Sequence, residues 1–197
     1  ALDYASDGTL YIGGEFTHVG PPTGGFGAIG ADGRISGAYP YVDGEVYASI
    51  ADGSGGFYIG GDFDAVGGVA RQNIARINAD GTLNATWNPG ANGSVWALAI
   101  DGTYVYAGGS FTTIGGRSRV RLALIKRTTG ALPARDDPTP NNVVRALALV
   151  DSTLYLGGDF TSVAGVTRNR LGAVSTAEAT LGEATAFDPN LNGKVHE

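Results

Sequence analysis

The 197-residue chain contains no cysteine, which excludes disulfides, thiolate nucleophiles and zinc–thiolate sites. It contains no methionine, the initiator included, so we expect a processed product or an excised fragment. Long apolar runs are missing: nothing approaches the roughly 18 residues that a membrane-spanning helix needs, and no signal peptide is seen, so one that existed is expected to have been removed. Membrane insertion is therefore not expected. Lysine is nearly absent, and the 11 arginines against 2 lysines read as genome composition. Charged residues make up only 16%, and the net charge is −6 with a pI near 4.8. A polyanion is repelled by such a surface, so nucleic acid is not an expected partner. Helical periodicity is missing as well, since no segment keeps a 3.6-residue apolar repeat for three turns.

What the chain has is glycine, 33 residues of it, with 43% hydrophobic residues. Glycine at that level with few charges fits an all-β protein rich in tight turns. One string occurs four times. Leu10-Tyr11-Ile12-Gly13-Gly14-Glu15-Phe16 returns as Phe57-Tyr58-Ile59-Gly60-Gly61-Asp62-Phe63, as Val105-Tyr106-Ala107-Gly108-Gly109-Ser110-Phe111 and as Leu154-Tyr155-Leu156-Gly157-Gly158-Asp159-Phe160. The first glycines of the pairs are 47, 48 and 49 residues apart, and a period of this size marks a repeat architecture.

The third repeat shows the unit most clearly. Val95–Ile100 is an apolar run stopped by Asp101-Gly102, Tyr104–Ala107 is a second run ended by Gly108-Gly109, and Val120–Ile125 is a third. Thr128-Thr129-Gly130 then turns into a weak fourth run at Ala131-Leu132. Short β-forming runs bounded by Gly, Asp and Asn predict strands joined by hairpins. A four-stranded unit of this length predicts a β-propeller blade, so the expected architecture is one all-β domain over 1–197 with four blades, at about 1–45, 46–94, 95–143 and 144–197. The tail Asn192-Gly193-Lys194-Val195-His196 matches Asn92-Gly93-Ser94-Val95-Trp96, and the Ala-Leu that should follow stands at Ala1-Leu2. We therefore expect the first strand of one blade to be split between the termini. That arrangement clasps a four-blade ring shut, or leaves a ring to be completed by further chain or a second subunit.

The run Tyr58-Ile59-Gly60-Gly61-Asp62-Phe63, Val66-Gly67-Gly68, Arg71, Asn73–Asn78, Asp80-Gly81 and Leu83 resembles the delta-60 repeat of bacterial proteins, and more distantly kelch repeats and those of fungal cortical polarity markers. The resemblance recurs once per repeat. It implies a β-propeller in a secreted or cell-surface protein and binding rather than chemistry, and it offers no catalytic residues. The first repeat departs most, with Pro21–Gly25 where the others carry Arg71, Arg119 and Arg168.

Candidate sites are few. Asp62 with Arg71 and Asp159 with Arg168 keep the same nine-residue spacing and are expected to form structural ion pairs across one loop. Read as a site instead, such carboxylates line a ligand or calcium pocket. Calcium needs several oxygens converging in a short loop, and only Asp62 with Asp64 and Asp136 with Asp137 come close. Neither pair continues at calcium-loop spacing, so no cofactor is expected. His18 and His196 are the two histidines, and neither completes a Ser–His–Asp or zinc set.

One position varies while its neighbours stay alike: Tyr47, Trp96, Arg145 and His196 each follow the first-strand valine. These four are the expected ligand contacts, against the plainer reading of interblade packing. The functional expectation is a non-enzymatic binding or scaffold module, extracellular or at the cell surface, taking a protein or glycan. Two alternatives remain: a structural subunit that self-associates through blade-edge strands, and a propeller carbohydrate-active enzyme using acids such as Asp62 and Asp159.

Overall fold

The computed structural model describes residues 2–4, 10–14, 24–29, 39–134, 138–193 and 195. The chain divides into two compact units, residues 1–95 and 96–197. Among the described residues the fold is all-β, with one 3-10 turn, Glu178–Thr180, as the sole helical element.

In the first unit the strands are β1 (Leu2–Tyr4), β2 (Leu10–Gly13), β3 (Gly24–Ile29), β4 (Val42–Ala51), β5 (Phe57–Val66), β6 (Val69–Ala70) and β7 (Ile74–Ile77). β1, β2 and β3 form one antiparallel meander. β4, β5 and β7 form the next, and β6 folds back on the far end of β5. The two meanders meet where β3 runs parallel to the start of β4, Gly24 opposite Val42. In the second unit, β8 (Val95–Ile100, its first residue counted in the first unit), β9 (Tyr104–Gly109) and β12 (Leu122–Lys126) make one sheet, and β10 (Thr113–Ile114) and β11 (Arg117–Ser118) a small hairpin. β13 (Val144–Val150), β14 (Thr153–Gly158) and β17 (Leu171–Ser175) repeat the plan, with β15 (Ser162–Val163) and β16 (Val166–Thr167) as the hairpin.

Each repeat is thus a three-stranded sheet, with a side hairpin in the second, third and fourth. In the second and fourth repeats the expected fourth strand is reduced to a single bridge, Ile77 with Leu83 and Val174 with Ala184. The glycine pairs close the second strand as its last two residues in the third and fourth repeats, but not in the second, where β5 runs through Gly60-Gly61.

Space explains the first glycine of each pair. A methyl group added at Gly13, Gly60, Gly108 or Gly157 would lie 2.7, 2.6, 2.6 or 2.5 Å from Cγ1 of Val46, Val95, Val144 or Val195. The first-strand valine of one repeat therefore seats on the backbone of the repeat before it. The second glycine and the phenylalanine hold the loop that returns to the third strand. The N–H groups of Gly61, Gly109 and Gly158 donate to the carbonyls of Asn73, Arg121 and Arg170, and these three residues donate back to the carbonyls of Phe63, Phe111 and Phe160. Asn73, Arg121 and Arg170 stand at φ 64°, 68° and 66°, a left-handed conformation that ordinary side chains disfavour. The paired hydrogen bonds hold it there.

Apolar faces complete each unit. In the first, Tyr11, Phe26, Phe57, Phe63, Val46 and Val66 are buried together, with Phe57 ring centroids 4.5 Å from Tyr11 and 4.8 Å from Phe26. In the second, Tyr106, Leu122, Val144, Leu156, Phe160 and Val174 form the core.

Candidate functional site

In the second and fourth repeats the varied position after the first-strand valine is aimed by a backbone device. In β4, Val46 faces Gly61 and Ala48 faces Gly60, so Tyr47 is the extra residue of a β-bulge. In β13, Val144 faces Gly158 and Ala146 faces Gly157, so Arg145 is the extra residue at the matching place. A bulge releases one residue from the ladder and redirects its side chain. Both residues are half-buried, as is Trp96 on β8.

The second unit brings two of the four expected contacts together. The Arg145 guanidinium carbon lies 5.6 Å from the centroid of the Trp96 ring, within cation–π range. Nε and Nη2 of Arg145 donate to one oxygen, Oδ2, of Asp159 at 3.0 and 2.8 Å. The result is an aromatic face, a cation and a carboxylate in one row. Tyr47 belongs to the first unit, where its hydroxyl donates to Glu45 at 2.5 Å. His196, His18, Asp136 and Asp137 lie outside the described residues.

The ion pairs expected from the nine-residue spacing are replaced. Asp159 pairs with Arg145 rather than Arg168, and Arg168 pairs with Asp188 at 3.6 Å. Asp62 is exposed and accepts from the Ser94 hydroxyl at 3.3 Å. Arg71 donates instead to the main-chain carbonyls of Ala70, Asn84 and Ala85 at 2.8, 3.1 and 3.2 Å. Arg119 binds the Ser118 and Pro133 carbonyls, and Arg168 those of Thr167 and Thr185. The repeated arginine thus ties the side hairpin to the segment that follows the third strand, and the physical reason is reach: a guanidinium offers five fixed donors, and several carbonyls lie closer than the acid. Burial lowers the pKa of Arg71. Among the described residues no group of three or more His, Asp or Glu is arranged to hold a metal ion.

Two features escaped the sequence reading. Trp87 is wholly buried with its ring 4.9 Å from Tyr58, and Phe187 meets Tyr155 at 5.2 Å in the matching place. Pro40, Pro89, Pro138 and Pro189 each stand six residues before a first-strand valine, a phase that would have located this segment. Asp52 pairs with Arg76 at 2.8 Å, an ion pair carried by one repeat alone and so invisible to a comparison of repeats.

The strand meanders, the interlocking glycines and the 48-residue period define an all-β repeat fold of propeller type. In keeping with this, residues 51–86 match a family model described as a domain of unknown function (DUF5122) beta-propeller. No curated protein matches the chain.

Proposed function

We propose that the chain is a non-enzymatic binding module of an extracellular or cell-surface protein, a single propeller of four blades whose split first strand closes the ring, and that Tyr47, Trp96, Arg145 and His196 contact a protein or glycan ligand. The observation that carries this reading is the bulge: the residue freed by it differs between repeats, while the valine before it and the glycines opposite are the same. A repeated frame with a varied, half-buried side chain is the arrangement of a recognition surface on a scaffold. The delta-60 and kelch-like resemblance of the sequence supports the surface location.

Trp96 is its own reporter, since the chain has only two tryptophans. In a Trp87→Phe background, glycans and surface proteins that bind here shift the Trp96 emission, and Trp96→Ala and Arg145→Ala lose binding while keeping the urea midpoint. Loss of stability with binding intact in both variants defeats the proposal.

A second reading, self-association through blade edges, draws on the single bridges that replace a fourth strand at Leu83 and Ala184. A strand edge so lightly covered invites another chain. Light scattering separates the two: a monomer near 20.0 kDa supports the closed ring, and a dimer or open polymer supports assembly.

A further inference from the structure

In the second repeat a turn carboxylate is matched to a cation. Oδ1 of Asp52 accepts the N–H groups of Ser54 and Gly56 at 2.8 and 3.0 Å, while Oδ2 takes Nη2 of Arg76 at 2.8 Å. The same guanidinium lies 5.5 Å from the centroid of the Tyr58 ring. The third repeat keeps the acid and the tyrosine and loses the cation. Oδ1 of Asp101 accepts from the N–H groups of Thr103 and Tyr104, each at 2.6 Å, and Oδ2 accepts the Tyr106 hydroxyl at 2.5 Å. Leu124 stands opposite Tyr106 in register, as Arg76 stands opposite Tyr58. Arg127 donates to the main-chain carbonyl of Asp101, at 2.7 Å.

Beside Asp101 lies a cavity of about 250 Å³, lined by Asp101, Thr103, Tyr104, Thr176, Glu178 and Leu181. It holds two acidic side chains, two threonines and an aromatic ring, and no basic residue lines it. Its floor is fixed, because the buried Tyr106 hydroxyl donates to Asp101 Oδ2. We propose that this cavity binds a primary ammonium group, restoring from outside the cation that Arg76 supplies in the second repeat. Asp101 and Glu178 provide the opposite charge, the threonine hydroxyls accept N–H bonds and Tyr104 offers a ring face. The group belongs to a lysine side chain of a partner protein or to a free alkylamine. The site is separate from Trp96 and stands or falls independently of the proposed recognition face.

The test is an amide-shift titration of the whole chain with n-butylamine, acetyl-lysine amide, a lysine-rich peptide and calcium chloride. Butylamine and acetyl-lysine amide move the amides of Thr103, Tyr104 and Thr176 and saturate, whereas acetyl-norleucine amide does not. Glu178→Gln, on an exposed turn, and Asp101→Asn, which keeps the acceptor for the two turn N–H bonds, each weaken binding about fivefold, in the range of a screened ion pair. Tighter binding of the peptide than of butylamine identifies a protein lysine, and equal binding a free amine. Absent shifts, shifts unchanged in both variants, or a response to calcium alone overturn the proposal.

Discussion

Burial and the neighbouring Asp101 act together on Tyr106. Removing the phenol from water disfavours its charged form, and the hydrogen bond to Asp101 and its negative charge disfavour it further. The pKa is raised well above the ordinary tyrosine range. The folded state therefore holds the proton that the unfolded chain releases above about pH 10. Stability from this group is complete below the unfolded pKa and falls as pH rises through the alkaline range toward the folded value. Ultraviolet titration of the folded chain should show Tyr106 ionising only with unfolding, and Tyr106→Phe should take one tyrosine out of that late step. Normal titration of all nine tyrosines in the native state contradicts this account. The same residue scale shows where spacing misleads. Asp62 and Arg71 recur at a fixed interval with Asp159 and Arg168, yet a side chain partners with whatever donor or acceptor its loop brings nearest. Asn84 and Ala85, 13 and 14 residues beyond Arg71, left no trace in the local pattern.

The strand runs, the hairpin turns and the weakness of the fourth strand were legible, because alternation, Gly and Asp write them directly into the sequence. The bulges at Tyr47 and Arg145 were not, since a one-residue change of register leaves the composition untouched. Nor was the left-handed turn at Arg121 and Arg170: glycine or asparagine announces that conformation, and arginine does not. What those turns require is a firm anchor on either side. At Asn73, the matching turn of the second repeat, the segment after the third strand supplies one through Trp87, which is 0% exposed, rests on Tyr58 and is held by its main-chain N–H bond to Asn84 Oδ1 at 2.9 Å. Replacing Trp87 by alanine should cost about 3–5 kcal/mol, the usual price of an emptied aromatic site, and should lower the urea midpoint without changing the fluorescence of Trp96. A loss under 1 kcal/mol would mean that the segment packs loosely and that the turn is held by hydrogen bonds alone.

One contact recurs along the chain: Gly13, Gly60 and Gly108 in the second strand each receive the first-strand valine of the following repeat, and Gly157 receives Val195 of the tail in the same way. Stability in such arrays comes from repeats and from the interfaces between neighbours, so this contact should set the coupling. Gly60 and Val95 allow a clean measurement. Gly60 does not have a left-handed φ, so an added methyl group is opposed by space alone, 2.6 Å from Val95 Cγ1. Gly60→Ala should destabilise by about 1–3 kcal/mol through overpacking, and Val95→Ala by about 2 kcal/mol through the cavity left behind. In the double variant the alanine methyl occupies the room the valine vacated, so the two losses should fall short of their sum by about 1 kcal/mol or more. The same cycle at Gly108 and Val144 should give a coupling of the same sign, because the spacing there is also 2.6 Å. Strict additivity at both places, measured by urea unfolding, would show that the valines pack beside the glycines without interlocking, and the glycine pairs would then need another cause.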